Sequence, residues 1–270
     1  MLVGDLELSN ILERVLKATN EVGNFQIKHW NKVGNTEIEQ KTANQLVSFV
    51  DKESEKILKR EVLKILPGSS FLGEESGSEE EEKSEFLWIV DPLDGTTNYL
   101  HGLPVFSISV ALLKDGEPIV GVVDCPVLKE TFSAFKGGGS FLNGTPITVG
   151  QNKELTDTLI ATGFPYYKFD RMQPYLEVLS ELMQKTHGLR RMGSAAIDLA
   201  YTAAGRFDGF FEMNLSPWDV AAGVLLVKEA GGRVTDFNGN PNVIFNKEIL
   251  ASSEVIYNQF FDSIRLKLAE

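Results

Sequence analysis

The string Trp88-Ile-Val-Asp91-Pro-Leu-Asp94-Gly95-Thr96-Thr97-Asn98 joins two carboxylates, a proline turn, a glycine and two hydroxyls in one short stretch. An apolar run, Phe86 to Val90, delivers Asp91 from what reads as a buried strand. Hard carboxylate oxygens on a rigid support are the ligands that magnesium prefers. Gly95 permits close backbone approach, and the amides of Gly95, Thr96 and Thr97 face an anion if a helix begins there. The chemistry suggested is a metal bridge beside a phosphate cradle. Taken singly, each piece also has a plain structural reading, because Asp-Pro and Asp-Gly form turns and Thr caps helices. Two distant segments carry further carboxylates: Phe71-Leu-Gly-Glu74-Glu75-Ser76, and Ser216-Pro-Trp218-Asp219-Val-Ala-Ala-Gly223. In the second, Pro217 and Asp219 equally suit the first turn of a helix.

The joined string resembles the lithium-sensitive, metal-dependent phosphatase superfamily, and Gly95-Thr96-Thr97-Asn98-Tyr99 followed by Pro104 is similar to its inositol monophosphatase branch. The segments around Glu74 and Asp219 resemble the family's other two signatures and occur in the family's order. The resemblance implies a magnesium-dependent phosphomonoesterase with two or three ions. Glu74 and Asp91 then hold the first ion with the Leu93 carbonyl, and Asp91, Asp94 and Asp219 hold the second. Gly95, Thr96 and Thr97 bind the phosphate. Thr96 positions the attacking water and pairs with Asp51, in Leu46-Val-Ser48-Phe-Val-Asp51, so that Thr96, Asp51 and Glu74 form the catalytic set. On residue type alone, Asp51 reads as an exposed or capping residue at a helix start. Metal-bound water loses its proton readily, so no histidine base is needed. His29, His101 and His187 have no acid or serine partner in motif spacing, which argues against a triad.

Specificity is written in Arg191-Met192-Gly193-Ser194-Ala195-Ala196, which resembles the family's inositol-contacting loop, and in Glu212, seven residues before Asp219, as the family's hydroxyl-binding glutamate stands. Gly193, Ser194, Ala195, Arg191, Glu212 and Asp219 are therefore the expected substrate contacts. Read as residues, Gly193-Ser194 is a helix cap and Arg191 an ion-pair partner. Gln45 departs from the family, where many relatives carry an aspartate just before Leu-Val-Ser/Thr; the departure bears on the third ion. Inositol 1-phosphate is the expected substrate. Histidinol phosphate, a nucleotide 3'-phosphate and fructose 1,6-bisphosphate are alternatives within the same chemistry. Thr97-Asn98, where the sulfur-assimilation nucleotidases usually show Lys-Glu, weighs against that branch. From another class comes an accessory interaction protein of the transcription or RNA machinery. Lithium inhibition and a homodimer are further implications of the resemblance.

The elements that must position these groups follow from periodicity. Leu6, Leu8, Ile11, Leu12, Val15, Leu16 and Val22 recur at helical spacing, and Ile57, Leu58, Val62, Leu63 and Leu66 repeat the pattern before Pro67-Gly68. Between them, Lys32 to Asn44 with Gly34-Asn35 reads as a loop or hairpin. From Phe86 the period changes to short apolar runs punctuated by Asp115-Gly116, Gly137-Gly138-Gly139 and Asn143-Gly144, which predicts a mainly antiparallel sheet to about residue 150. Beyond it, short apolar segments alternate with helical ones in a smaller α/β half. The resemblance implies a layered αβαβα sandwich (α+β in class), with residues 1–150 as helix pair and antiparallel sheet and 151–270 as the α/β half.

A net charge of -12 argues against a broad nucleic-acid or membrane surface, and steers phosphates away unless cations sit on the acidic cluster. The run Glu79 to Glu82 reads as a solvated segment rather than a metal site. Cys125 stands alone, which excludes an internal disulfide and reads as a small buried strand residue. Met1 to Glu13 lacks the basic start and apolar core of a signal peptide, and no apolar run is long enough to span a bilayer, so a cytoplasmic protein is expected.

Overall fold

The computed structural model describes residues 5–33, 38–42, 45–78, 84–165 and 169–269. Gly34-Asn35 and the Glu79 to Glu82 run lie outside the described residues, as does the side chain of Gln45.

The chain opens with α1 (Asp5–His29), a hairpin of β1 (Ile38–Thr42) and β2 (Gln45–Ser48), and α2 (Phe49–Ile65). An eight-stranded sheet follows. It is built from β3 (Ser70–Gly73), β4 (Gly77–Ser78), β5 (Phe86–Asp94), β6 (Ser107–Lys114), β7 (Glu117–Cys125), β8 (Glu130–Phe135), β9 (Gly139–Leu142) and β10 (Thr145–Ile147), in the order β10-β9-β8-β7-β6-β5-β3-β4. A short helix, α3 (Thr96–Leu100), leaves the end of β5. All pairings in the sheet are antiparallel except β3 with β5. The hairpins turn where glycine dipeptides predicted, with Asp115 and Gly116 both at positive φ, the conformation that keeps strand twist continuous through a two-residue turn.

Alternation along β5 divides the core. Trp88 and Val90 face α1 and α2 among Val15, Val22, Leu58 and Val62. Ile89 points to the other face, where it joins Leu199 and Val224. Those residues belong to α5 (Ala195–Ala203) and α6 (Pro217–Glu229), a middle layer. On its far side lies the second sheet, β11 (Leu159–Thr162), β12 (Gly188–Arg190), β13 (Gly209–Met213), β14 (Gly232–Thr235) and β15 (Glu248–Ser253), in the order β12-β11-β13-β15-β14. Phe210 joins the middle layer, while its neighbour Phe211 faces α4 (Met172–Lys185) and α7 (Tyr257–Leu268). Two-residue periodicity thus sets five layers, α1α2, sheet, α5α6, sheet, α4α7.

Two details differ from the sequence expectation. The first helix runs on past Val22 to His29. The strand β5 does not end at Asp91 but continues to Asp94 through an irregularity between those two residues, where Pro92 has no N–H for the ladder. Gly188–Arg190 pairs parallel with β11 and leads into the turn before α5. Cys125 is buried in β7, as its size suggested.

Candidate metal and phosphate site

The site forms where the irregular end of β5 meets the N-termini of α3, α5 and α6. Asp91 and Asp94 come from β5 and Asp219 from the first turn of α6, and one oxygen from each lies within 4.8 Å of the others. Each of the three carboxylates also accepts hydrogen bonds from the protein. Asp91 Oδ1 accepts the Leu93 N–H at 2.9 Å. Asp94 Oδ2 accepts the Ser194 hydroxyl at 2.6 Å and the Ala196 N–H at 2.8 Å. Asp219 Oδ2 accepts the Ser216 N–H at 2.7 Å, the reciprocal arrangement of a helix cap. Asp219 therefore caps α6 and is at the same time a member of the carboxylate cluster.

Burial, followed by the charges of Glu74, Asp94 and Asp219, pushes the Asp91 carboxyl well above the usual range. Burial does the same to Asp219, with Asp94 as the next contributor. Asp94 is raised by burial to about 6, against the opposing hydrogen bonds from Ser194 and Ala196. Three buried or half-buried carboxylates that repel one another, each offering a hard oxygen to one point, are a donor set suited to magnesium, which relieves both the desolvation and the repulsion. Glu74 follows β3 directly, its N–H bonded to Val90 O at 3.2 Å. It lies close enough to raise Asp91 and Asp219, but outside the set of mutually close oxygens.

Gly95 sits at φ +95°, and a Cβ there would meet Val105 O at 3.0 Å and Gly193 O at 3.3 Å. Glycine suits this turn, which opens α3 at Thr96 and Thr97. Thr96 Oγ1 lies 2.8 Å from Asp51 Oδ1 and 3.1 Å from Leu93 O. Asp51 is buried in the first turn of α2, where its Oδ2 accepts the N–H and hydroxyl of Ser48. Burial raises its pKa, and the Ser48 and Thr96 hydrogen bonds oppose the rise. The exposed reading of Asp51 is corrected here: it caps α2 from a buried position.

The expected substrate loop lies at the carboxyl ends of the parallel strands β12, β11 and β13, where strand order reverses, the usual crevice of an open α/β sheet. Ser194 caps α5, accepting from Ile197 N at 3.3 Å, while its proton goes to Asp94. Glu212, on β13, lies against Gly163 and is raised to about 8 by burial, with the Arg191 charge opposing. The Arg191 guanidinium lies 5.5 Å from the Phe164 ring centre. Asn98 ties this loop to the phosphate turn, donating to Val105 O at 2.7 Å and Met192 O at 2.9 Å.

Gln26 and Asp198 at the site escaped the sequence reading. Gln26 donates to Pro92 O at 2.6 Å and so holds the turn between Asp91 and Leu93 from α1. Asp198 is buried in α5, and its Oδ1 has no partner among the described residues. Both occupy core-facing helical positions, so the available signal was a polar residue interrupting an apolar stripe, as Gln26 does after Val15 and Val22.

A model of the inositol monophosphatase family matches residues 7–266. The chain is 40% identical over 261 residues to the inositol-1-monophosphatase of Mesorhizobium japonicum, covering 97% of this chain and 98% of that protein. It is 38% identical to the Nus factor SuhB of Escherichia coli, covering 96% and 97%. The crystal structure of extragenic suppressor protein suhB from Bartonella henselae superposes with a TM-score of 0.90 at 41% identity, over 95% of this chain and 98% of that one. Matching sequence signatures, five-layer fold and converging carboxylates lead to one conclusion: the chain belongs to the inositol monophosphatase family.

Proposed function

We propose that this magnesium-dependent phosphomonoesterase hydrolyses a sugar-alcohol phosphate, foremost inositol 1-phosphate. Water attacks phosphorus, the P–O ester bond breaks, and the water's protons end on the phosphate and the released alcohol. The observation that carries the reading is the convergence of Asp91, Asp94 and Asp219 beside the Gly95–Thr97 turn. The name of the Mesorhizobium japonicum relative supports the choice of ester.

In this reading Glu74, Asp91 and the Leu93 carbonyl hold one ion, and Asp91, Asp94 and Asp219 hold a second. Magnesium, when bound, supplies Lewis acidity and the positive charge that a phosphate needs beside four carboxylates. Asp51 accepts the Thr96 hydroxyl proton, which leaves the Thr96 oxygen lone pairs to orient water. The amides of Gly95, Thr96 and Thr97 receive the phosphate oxygens. Arg191, Glu212, Asp219 and the Gly193–Ala195 backbone receive the polyol, Glu212 by accepting from its hydroxyls. The halves 1–150 and 151–270 each contribute to this one site. A third ion, lithium inhibition, a homodimer and a cytoplasmic location belong to the same reading and rest on family membership; the net charge of -12 supports leaving nucleic acid out.

Phosphate release from inositol 1-phosphate, histidinol phosphate, adenosine 3',5'-bisphosphate and fructose 1,6-bisphosphate tests this, with magnesium or chelator and an Asp94→Asn control. Chelator-sensitive turnover fastest on inositol 1-phosphate is expected, and preference for another ester renames the substrate while keeping the chemistry. A folded protein with no turnover on any of them overturns the proposal. It would move an accessory role to first place, a second reading that the name of the Escherichia coli relative favours.

A further inference from the structure

We infer that Glu55, which the family resemblance does not assign, is a positioning residue for Glu74; the inference rests on the metal-site reading above. Glu55 lies on α2 and is only 4% exposed. Its Oε2 accepts the Glu75 N–H at 2.7 Å and its Oε1 accepts the Ser76 N–H at 2.8 Å. Both lone-pair faces of one buried carboxylate are thus engaged by the two residues that directly follow Glu74. Charge-assisted bonds to consecutive amides are stronger than neutral ones and fix the turn's orientation as well as its position. On the other side of Glu74, its own N–H is bonded to Val90 O. Glu74 is therefore clamped at both flanks, by β5 before it and by α2 after it.

Space for this clamp is made by Gly73, where any Cβ would collide with the Glu55 carboxylate. The pairing of an acid on the helix with a glycine on the strand is specific, since either change alone removes the fit. Spacing on α2 supports the same conclusion. Asp51 and Glu55 stand one helical turn apart on one face, about 6 Å along the axis. The first holds Thr96, and the second holds the turn bearing Glu74. Burying a carboxylate is costly unless its bonds are made, and Glu55 makes them only to this turn among the described residues. A helix that otherwise buries Val50, Ser54, Leu58, Val62 and Ile65 thus carries two acids, one bonded to Thr96 and the other to the turn bearing Glu74.

The test is magnesium binding by isothermal titration calorimetry on wild type, Glu55→Gln, Glu74→Gln and the double variant, with thermal denaturation in chelator as the folding control. Glu55→Gln keeps the volume but turns one acceptor into a donor facing an N–H. Loss of a group that orients a ligand typically weakens metal affinity by 10- to 100-fold, so a loss of about 10-fold is expected in Glu55→Gln. KM for the ester at saturating magnesium should stay within about two-fold of wild type. In the Glu74→Gln background the Glu55 change should add nothing, because its effect passes through Glu74. Full magnesium affinity in folded Glu55→Gln, or an additive loss in the double variant, overturns the inference and leaves the metal site standing. A wild-type protein that binds no magnesium overturns the parent reading and this inference with it.

Discussion

Thr96 Oγ1 lies 2.8 Å from Asp51 Oδ1, across 45 residues of chain, and the only hydroxyl proton of Thr96 faces that buried carboxylate. The Asp51 oxygen left over is itself occupied by Ser48. The pair is consequently oriented in one sense: Asp51 accepts, Thr96 donates, and the threonine oxygen keeps lone pairs for water. Leu93 O, 3.1 Å from the same hydroxyl, completes a short bridge between α2, α3 and the end of β5.

Replacing Thr96 with Ala should lower kcat on inositol 1-phosphate by about 100-fold or more, the scale of an oriented proton-transfer group. Thr96→Ser retains the hydroxyl and should recover most of the loss. Magnesium affinity, read by calorimetry, should be unchanged in both, because neither alters a carboxylate. Asp51→Asn should lower kcat similarly, and in addition cost about 1 kcal/mol of stability through the weakened cap of α2, visible in denaturant melts.

Without metal, the folded chain should lose stability as pH rises from about 5 to about 8.5. Asp94, raised by burial to about 6, and Glu212, raised by burial to about 8, hold protons in the folded state that the unfolded chain has already released. Folding then favours protonation, and the advantage disappears as pH passes each folded value. Magnesium replaces those protons at the carboxylate cluster, so its increment in Tm should be larger at pH 8.5 than at pH 5. Calorimetric melts with and without chelator check the sign; an increment independent of pH would contradict it.

Asp198 is a buried carboxyl with one oxygen that has no partner among the described residues, its pKa raised well above the usual range by burial and then by Glu212 and Asp94. Asp198→Asn removes the ionisation while keeping the shape. Stability should rise by about 1 kcal/mol or more at pH 8 and by less at pH 5, because the cost of a raised carboxyl grows as pH climbs above the value of the unfolded chain. Denaturant titrations at the two pH values measure the difference.

Gly95→Ala places a Cβ against two backbone carbonyls at a positive φ, where neither neighbour can move as a flexible side chain would. The expected cost is about 1 to 3 kcal/mol in stability, with loss of phosphate release from displacement of Thr96 and Thr97. Phosphate-release assays below the variant's lowered Tm separate the two effects. Wild-type activity would show that the turn tolerates another conformation.

Local chemistry was legible because it is local. The hairpin at Asp115-Gly116 depends on φ values that few other residues adopt, and the paired acids of Trp88 to Asn98 sit within a few residues of one another. Longer helices were legible through their periodicity, whereas Gly188–Arg190 is too short to carry any and becomes a strand only by pairing with β11. Glu55 was overlooked although the signal was present: it lies four residues beyond Asp51 and three before Leu58, on the face that α2 buries.

The sequence by itself determined which donors exist, their order along the chain, and the turns that present Asp94, Gly95 and Thr96, since backbone conformation and residue type suffice for those. Tertiary structure alone decided which partners hold each carboxylate, because Ser194 and Ala196 stand about a hundred residues from Asp94. It also decided the raised pKa values of Asp91, Asp94 and Asp219. A carboxylate's charge state depends on the water and charges around it, and packing β5 against α5 and α6 removes the first and concentrates the second.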